Sequence, residues 1–148
     1  SAASDVYKRQ VAANLIKPDL AIAVDVGVAY DVPGMTSEKN QGNLGDGPLV
    51  IMMDATSIAH DGFRKHIKEV AEAHHIPVQW ATTPGGGTDA GSIHVANEGI
   101  PTITIGVPLR YMHSNVSVMH TDDYENSVQL ITEIVRSLND DSYQSLMW

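Results

Sequence analysis

No cysteine occurs anywhere in the 148 residues, so the chain builds neither a disulfide framework nor a thiolate metal site. Any metal it holds must be held by histidine and carboxylate, and the lack of thiols fits a cytosolic protein. Basic residues are scarce as well: 9 Lys and Arg stand against 18 Asp and Glu, for a formal net charge of -9. Nucleic-acid binders gain most of their affinity from Lys and Arg displacing counterions, so that class of partner is set aside. No apolar run approaches the roughly 20 residues of a membrane-spanning helix. The N-terminus also lacks the basic-then-apolar order of a signal peptide, and a soluble chain is the expectation.

What is present is a sequence with 43% apolar residues, enough for one domain to bury a single core. The first ten residues, "SAASDVYKRQ", show neither period 2 nor period 3.6 and read as a poorly specified lead-in. From Asp19 the pattern becomes regular. Apolar runs at residues 20–28 and 49–55 read as strands buried on two faces, separated by the glycine-rich loop "NQGNLGDGP". Residues 56–75 carry Phe63, Ile67, Val70 and Ala71 on one helical stripe, with Ser57 or Asp61 placed to cap the start. "IPVQWAT" at 76–82 and "IPTITIGVP" at 100–108 read as further strands, and "SIHVANEG" between them as a short helix stopped by Gly99. A final helix, capped by Thr121, has Val128, Ile131, Val135 and Leu138 as its predicted inward stripe. Alternating strands and helices predict an α/β fold with a mostly parallel central sheet flanked by helices.

Two stretches carry candidate chemistry at strand ends, where ligand sites of such sheets gather. In "AIAVDVGVAYDVPG" Asp25 interrupts an otherwise apolar strand, and an isolated buried carboxylate costs several kcal/mol unless it is hydrogen-bonded, paired or bound to a cation. Both a hydrogen-bonded strand-end aspartate and a ligand for a metal or a substrate ammonium fit that position. Asp31, just before Val-Pro-Gly, reads as a turn former. In "VPLRYMHSN" His113 follows a strand that should be central; taken alone it fits an ordinary loop histidine, and it is also placed to present a neutral imidazole to zinc, cobalt or manganese. Together Asp25 and His113 make half of a metal site built without cysteine. His60, His66, His74 and His75 read as surface residues of a helix, with no H-E-x-x-H spacing among them; His94 is undecided, and His120 with Asp122 reads as part of a helix start. "TTPGGGTDAG" lets backbone approach a ligand closely, but it has no P-loop lysine, and the acid at its mouth suits a cationic or amine-bearing ligand better than phosphate.

"KPDLAIAVDVGVAYDVPG", "GDGP", "GGGTDAGSIHVANEGIPT" and "VPLRYMHS", in this order, resemble the C-terminal half of the M42 family of metal-dependent aminopeptidases, the glutamyl-aminopeptidase and tetrahedral-aminopeptidase group, some of whose members are labelled endoglucanases. The resemblance covers residues 11–148 and leaves 1–10 outside the family pattern. It implies a phosphorylase/hydrolase-like α/β sandwich and two divalent metal ions, zinc or cobalt, that activate a water to hydrolyse the N-terminal residue of a peptide. It further implies that Asp25 ligates one metal and His113 the other, that Gly86, Gly87, Thr88 and Asp89 form a loop beside the site, and that Arg110 stands at its substrate-binding rim with Tyr111. Peptides would be the substrates, and full-length members form homo-oligomers. In the family a metal-binding His, a bridging Asp and a Glu-Glu pair containing the general base precede this segment, and no "EE" occurs here. The expectation is a fragment, inactive alone. The competing expectation is a non-enzymatic α/β module that binds a cation or an amine.

Overall fold

The computed structural model describes residues 2–35 and 42–147, with side chains from residue 8 onward. Asn40 and Gln41, the first two residues of the glycine-rich loop, lie outside the described residues. The elements run α1 (Ala2–Ile16), β1 (Ala21–Val28), β2 (Leu49–Asp54), α2 (Asp61–Ala73), β3 (Gln79–Thr83), α3 (Ala90–Ile93), β4 (Thr102–Leu109), α4 (Thr121–Ser137) and α5 (Asp140–Met147).

β4, the most β-branched segment, is buried through its first five residues because it lies inside the sheet, whose order is β1-β4-β2-β3. β1 pairs with β4 in parallel, from Ala21 opposite Thr102 to Val28 opposite Leu109, and β3 pairs with β2 in parallel. β2 and β4 run antiparallel, so the sheet is mixed, with two of its three pairings parallel as the alternation predicted. Side chains alternate across it: Val50 joins the main core with Ile103 and Ile105, whereas Leu49 and Ile51 cluster with Ala81. α2 supplies Phe63, Ile67, Val70 and Ala71 to that core, α4 supplies Leu130 and Ile134, and α5 closes it with Leu146. A smaller cluster of Ala13, Ala96 and Ile100 seats α1 beside α3.

The structure changes five expectations. Among the described residues β1 is an edge strand, and Val24 is 51% and Val26 38% exposed while Asp25 is only half-buried. Val128 and Val135 face solvent, and the buried line of α4 is Asp123, Ser127, Leu130 and Ile134. Its phase is set by Asp123, which turns inward to accept from Gly45 N and Gly47 N at 2.8 Å each. Histidines, not hydroxyls or Asp61, cap α2 and α4: His60 Nδ1 accepts from Phe63 N and His120 Nδ1 from Asp122 N. Finally, the lead-in lies within a helix, α1, whose Leu15 and Ile16 stay exposed, so it carries no periodic pattern for a sequence reading to find. The short helix α3 ends at Ile93, and Gly99, with φ of +99°, closes a later turn.

Candidate functional site

Because β1 and β4 are parallel neighbours, the residues that leave their C-terminal ends emerge on the same side of the sheet. β1 contributes Asp25, and the loop after β4 contributes His113. The loop after β3 adds Gly86, Gly87, Thr88 and Asp89, and these residues together line one cavity of about 340 Å³. Ile51 and Val28 supply apolar lining, and Arg9 of α1 also lines the cavity, paired with Asp89. Six of the seven site residues singled out from sequence therefore meet at one place. The seventh, Arg110, does not line the cavity: its Nε donates to Asp31 Oδ1 at 3.0 Å, and its terminal nitrogen donates to Oδ2.

The His113 loop is closed at its base, where Arg110 N donates to Val118 O at 2.9 Å and Val118 N donates to Arg110 O at 3.2 Å. Within it Tyr111 and His113 adopt left-handed backbone, with φ of +60° and +65°. Each such non-glycine residue costs on the order of 1 kcal/mol, and strain of this kind gathers where side chains must be aimed. Ser114 Oγ holds the turn by donating to Tyr111 O at 2.6 Å. Asp25 Oδ1 accepts from the backbone N–H of Val26 at 2.8 Å, which leaves acceptor capacity on the carboxylate.

Sequence reasoning missed Asp54, the residue that fixes the glycine loop. It ends β2 and is 6% exposed, so Asp54, not Asp25, is the carboxylate buried in this sheet. Its Oδ1 accepts from Thr56 N, Thr56 Oγ1 and Ser57 N at 2.7, 2.8 and 2.8 Å, and its Oδ2 from Thr88 N and Thr88 Oγ1 at 3.0 and 2.6 Å. Burial pushes the Asp54 carboxyl up, and the hydrogen bonds from Thr88, Thr56 and Ser57 outweigh it, so the group stays below the ordinary carboxylate value. Thr88 Oγ1 also lies 2.9 Å from Thr104 Oγ1 on the central strand, which ties the cavity wall to β4. The signal was an aspartate closing an apolar run and followed by Ala-Thr-Ser, the arrangement in which Asp hydrogen-bonds the backbone just beyond itself.

Close approach explains two glycines of the same wall: a Cβ at Gly87 would sit 2.8 Å from Thr56 Cγ2, and one at Gly91 2.1 Å from Thr56 Oγ1. Asp89 is nearly buried and pairs with Arg9. Three further histidines have partners elsewhere: His66 Nε2 lies 2.8 Å from Ser137 Oγ, His74 Nε2 lies 3.7 Å from a Glu133 carboxylate oxygen, and His94 Nδ1 lies 2.9 Å from Ala90 O.

Asp25 and His113 have the donor chemistry a divalent metal takes when no thiolate is present. They are two donors, where a catalytic zinc takes three from protein, and among the described residues no group of three or more His, Asp or Glu gathers to hold an ion. A complete centre would need donors from outside these residues. Among the described residues no helix is long and apolar enough to cross a membrane.

The sequence model of M42 glutamyl aminopeptidase matches residues 8–130. The chain belongs to this family. It is 40% identical over 126 residues to a putative aminopeptidase of Acetivibrio thermocellus, which covers 85% of this chain and 38% of that protein. With the glutamyl aminopeptidase of Lactococcus lactis it shares 34% identity over 130 residues, 88% of this chain and 35% of the relative. The M42 fold is equally plain: a TET aminopeptidase from a marine sediment Thaumarchaeota archaeon superposes with a TM-score of 0.92 at 31% identity, over 95% of this chain and 39% of the other. A TET1 peptidase of Pyrococcus horikoshii, described as assembling into a tetrahedron or a large octahedral shell, matches with a TM-score of 0.72 at 26% identity, over 90% of this chain and 38% of the other. The chain thus spans well under half the length of these M42 relatives.

Proposed function

We propose that this chain carries the C-terminal part of an M42 aminopeptidase catalytic domain, residues 11–148, and that the active enzyme removes N-terminal residues from peptides. The observation that carries the reading is the convergence of Asp25, His113 and the Gly86–Asp89 loop on one cavity in a chain of this family. Asp25 and His113 would each hold one of two divalent ions, zinc or cobalt. Bound there, such ions supply a lowered water pKa and a polarised scissile carbonyl. The chain's own residues do the rest of what is assigned here. The glycine loop, locked by Asp54 and with its Asp89 carboxylate paired to Arg9, shapes the wall against which the peptide lies. A general-base glutamate from a Glu-Glu pair is not among these residues, so the chain by itself is proposed to be inactive. Homo-oligomers, as in the TET relative, are proposed for the whole enzyme in the cytoplasm.

Grafting tests this. The chain replaces the corresponding region of the Lactococcus lactis enzyme, and release of p-nitroaniline from glutamyl, leucyl and lysyl substrates is measured with zinc or cobalt. The graft should turn over, D25A and H113A grafts should lose at least 100-fold in kcat/KM, and the ungrafted chain should show no turnover. A folded graft with no activity, or robust turnover by the chain alone, contradicts the proposal. The second reading is a module that binds a cation or amine without hydrolysis, at the acidic cavity edge that Asp25 lines. Tight stoichiometric zinc binding by the isolated chain in equilibrium dialysis would support it.

A further inference from the structure

The Asp31–Arg110 pair lies outside the cavity lining, yet it joins the two segments that carry Asp25 and His113 into it. Asp31 stands three residues beyond the end of β1 and six beyond Asp25, while Arg110 directly follows β4 and precedes His113 by three. The guanidinium meets the carboxylate as a fork, Nε to Oδ1 at 3.0 Å and the terminal nitrogen to Oδ2, and the same Oδ2 accepts from Leu44 N at 3.2 Å. One carboxylate therefore fastens the exit of β1, the loop before β2 and the base of the His113 loop. Both side chains are partly buried, 34% exposed for Arg110 and 20% for Asp31, which spares the pair some of the screening that weakens surface ion pairs. The hydrogen bonds from Arg110 hold the Asp31 carboxyl below its ordinary value, and Asp31 in turn raises the guanidinium.

A planar fork fixes direction as well as distance, which a lysine ammonium does not. Direction matters here because the loop it anchors is short and strained: residues 111–117 hang from the two Arg110–Val118 hydrogen bonds, with left-handed backbone at Tyr111 and His113. Two hydrogen bonds make a hinge about which such a loop can swing, and a third fastening through the Arg110 side chain removes that freedom. We propose that Asp31 and Arg110 are a positioning pair for this site: the fork at the loop base sets where the His113 imidazole stands relative to Asp25, and Arg110 serves the reaction through Asp31 without touching the substrate. The role rests on reading Asp25 and His113 as partners in one site.

The test compares wild type, R110K, D31N and the double variant in ring-carbon-labelled NMR spectra of the seven histidines, at fixed pH without metal. R110K keeps charge and stem but loses the fork, and it should shift and broaden the His113 ring signals while those of His74 and His75, on the far end of α2, keep their positions. D31N should do the same, and the double variant should move His113 no further than either single change, as expected when both remove one interaction. Cobalt titration adds a second readout, with at least a fivefold weaker Kd in R110K. Unmoved His113 signals in R110K overturn the proposal, as do equal shifts of all seven rings, which mark general loosening. If wild type binds no cobalt, the metal reading fails while the ring positions still decide the pairing; if D31N does not fold, R110K decides it alone.

Discussion

At the scale of single residues, Asp54 is the group on which the cavity wall depends. Replacing it with alanine strands five hydrogen-bond donors at a nearly closed position, and unfolding should become easier by about 3 kcal/mol, measured by urea denaturation. Acid sensitivity follows from the same group. Asp54 and Asp31 are held below the ordinary carboxylate value in the folded chain, and Asp61 is lowered to about 2 by Lys65 and Arg64. A depressed folded-state pKa contributes stability that is complete above the unfolded-state value near 3.8 and is lost as pH falls through the folded-state value. The carboxylate contribution should therefore appear as a fall in melting temperature from roughly pH 4 downward, more shallow in D54N. A melting temperature that rises on acidification contradicts the assignment. That Asp25 and His113 share a cavity could be expected from the sequence because Asp25 interrupts the apolar strand β1 and His113 follows the β-branched strand β4 by four residues. Of the Asp54 network only the turn to Thr56 and Ser57 leaves a local mark, whereas Thr88, 34 positions away, joins it only after folding.

Among the elements, α4 separates what periodicity can and cannot tell. Its length and type were readable from the apolar spacing, but its rotational phase was not, since Val128 and Val135 look as suitable for burial as Leu130 and Ile134 until Asp123 is seen gripping the glycine loop. Leu130→Ala should cost 2–5 kcal/mol, about what a fully buried leucine loses, while Val135→Ala should stay within roughly 0.5 kcal/mol; thermal melts of the two variants check the order. α5 makes a sharper case. Its docking onto α2 relies on Gly62, where a Cβ would fall 1.9 Å from the Leu146 carbonyl oxygen, so G62A should detach or displace the terminal helix. Hydrogen exchange should then rise in residues 140–147 while α2 itself stays protected, and unchanged protection there would refute the contact. Edge placement is the general reason that β1 was misjudged. An apolar run declares a strand, but which strand lies next to it, and on how many sides, is decided by pairings that run from residue 21 to residue 102.

For the whole molecule, the order β1-β4-β2-β3 carries the functional argument, since only a parallel β1–β4 pair delivers Asp25 and His113 to one cavity. The α/β class was visible in the alternation of patterns, whereas the antiparallel β2–β4 pairing, which makes the sheet mixed, leaves no local mark in the sequence. The decisive measurement is residue-resolved NMR line broadening by Mn(II), which reports even weak binding at an incomplete ligand set. Added to the isolated chain, Mn(II) should broaden signals around Asp25, His113 and the Gly86–Asp89 loop first, and D25A or H113A should abolish that broadening. Broadening centred elsewhere, or unchanged in both variants, would contradict the claim that these two side chains form one metal-binding edge.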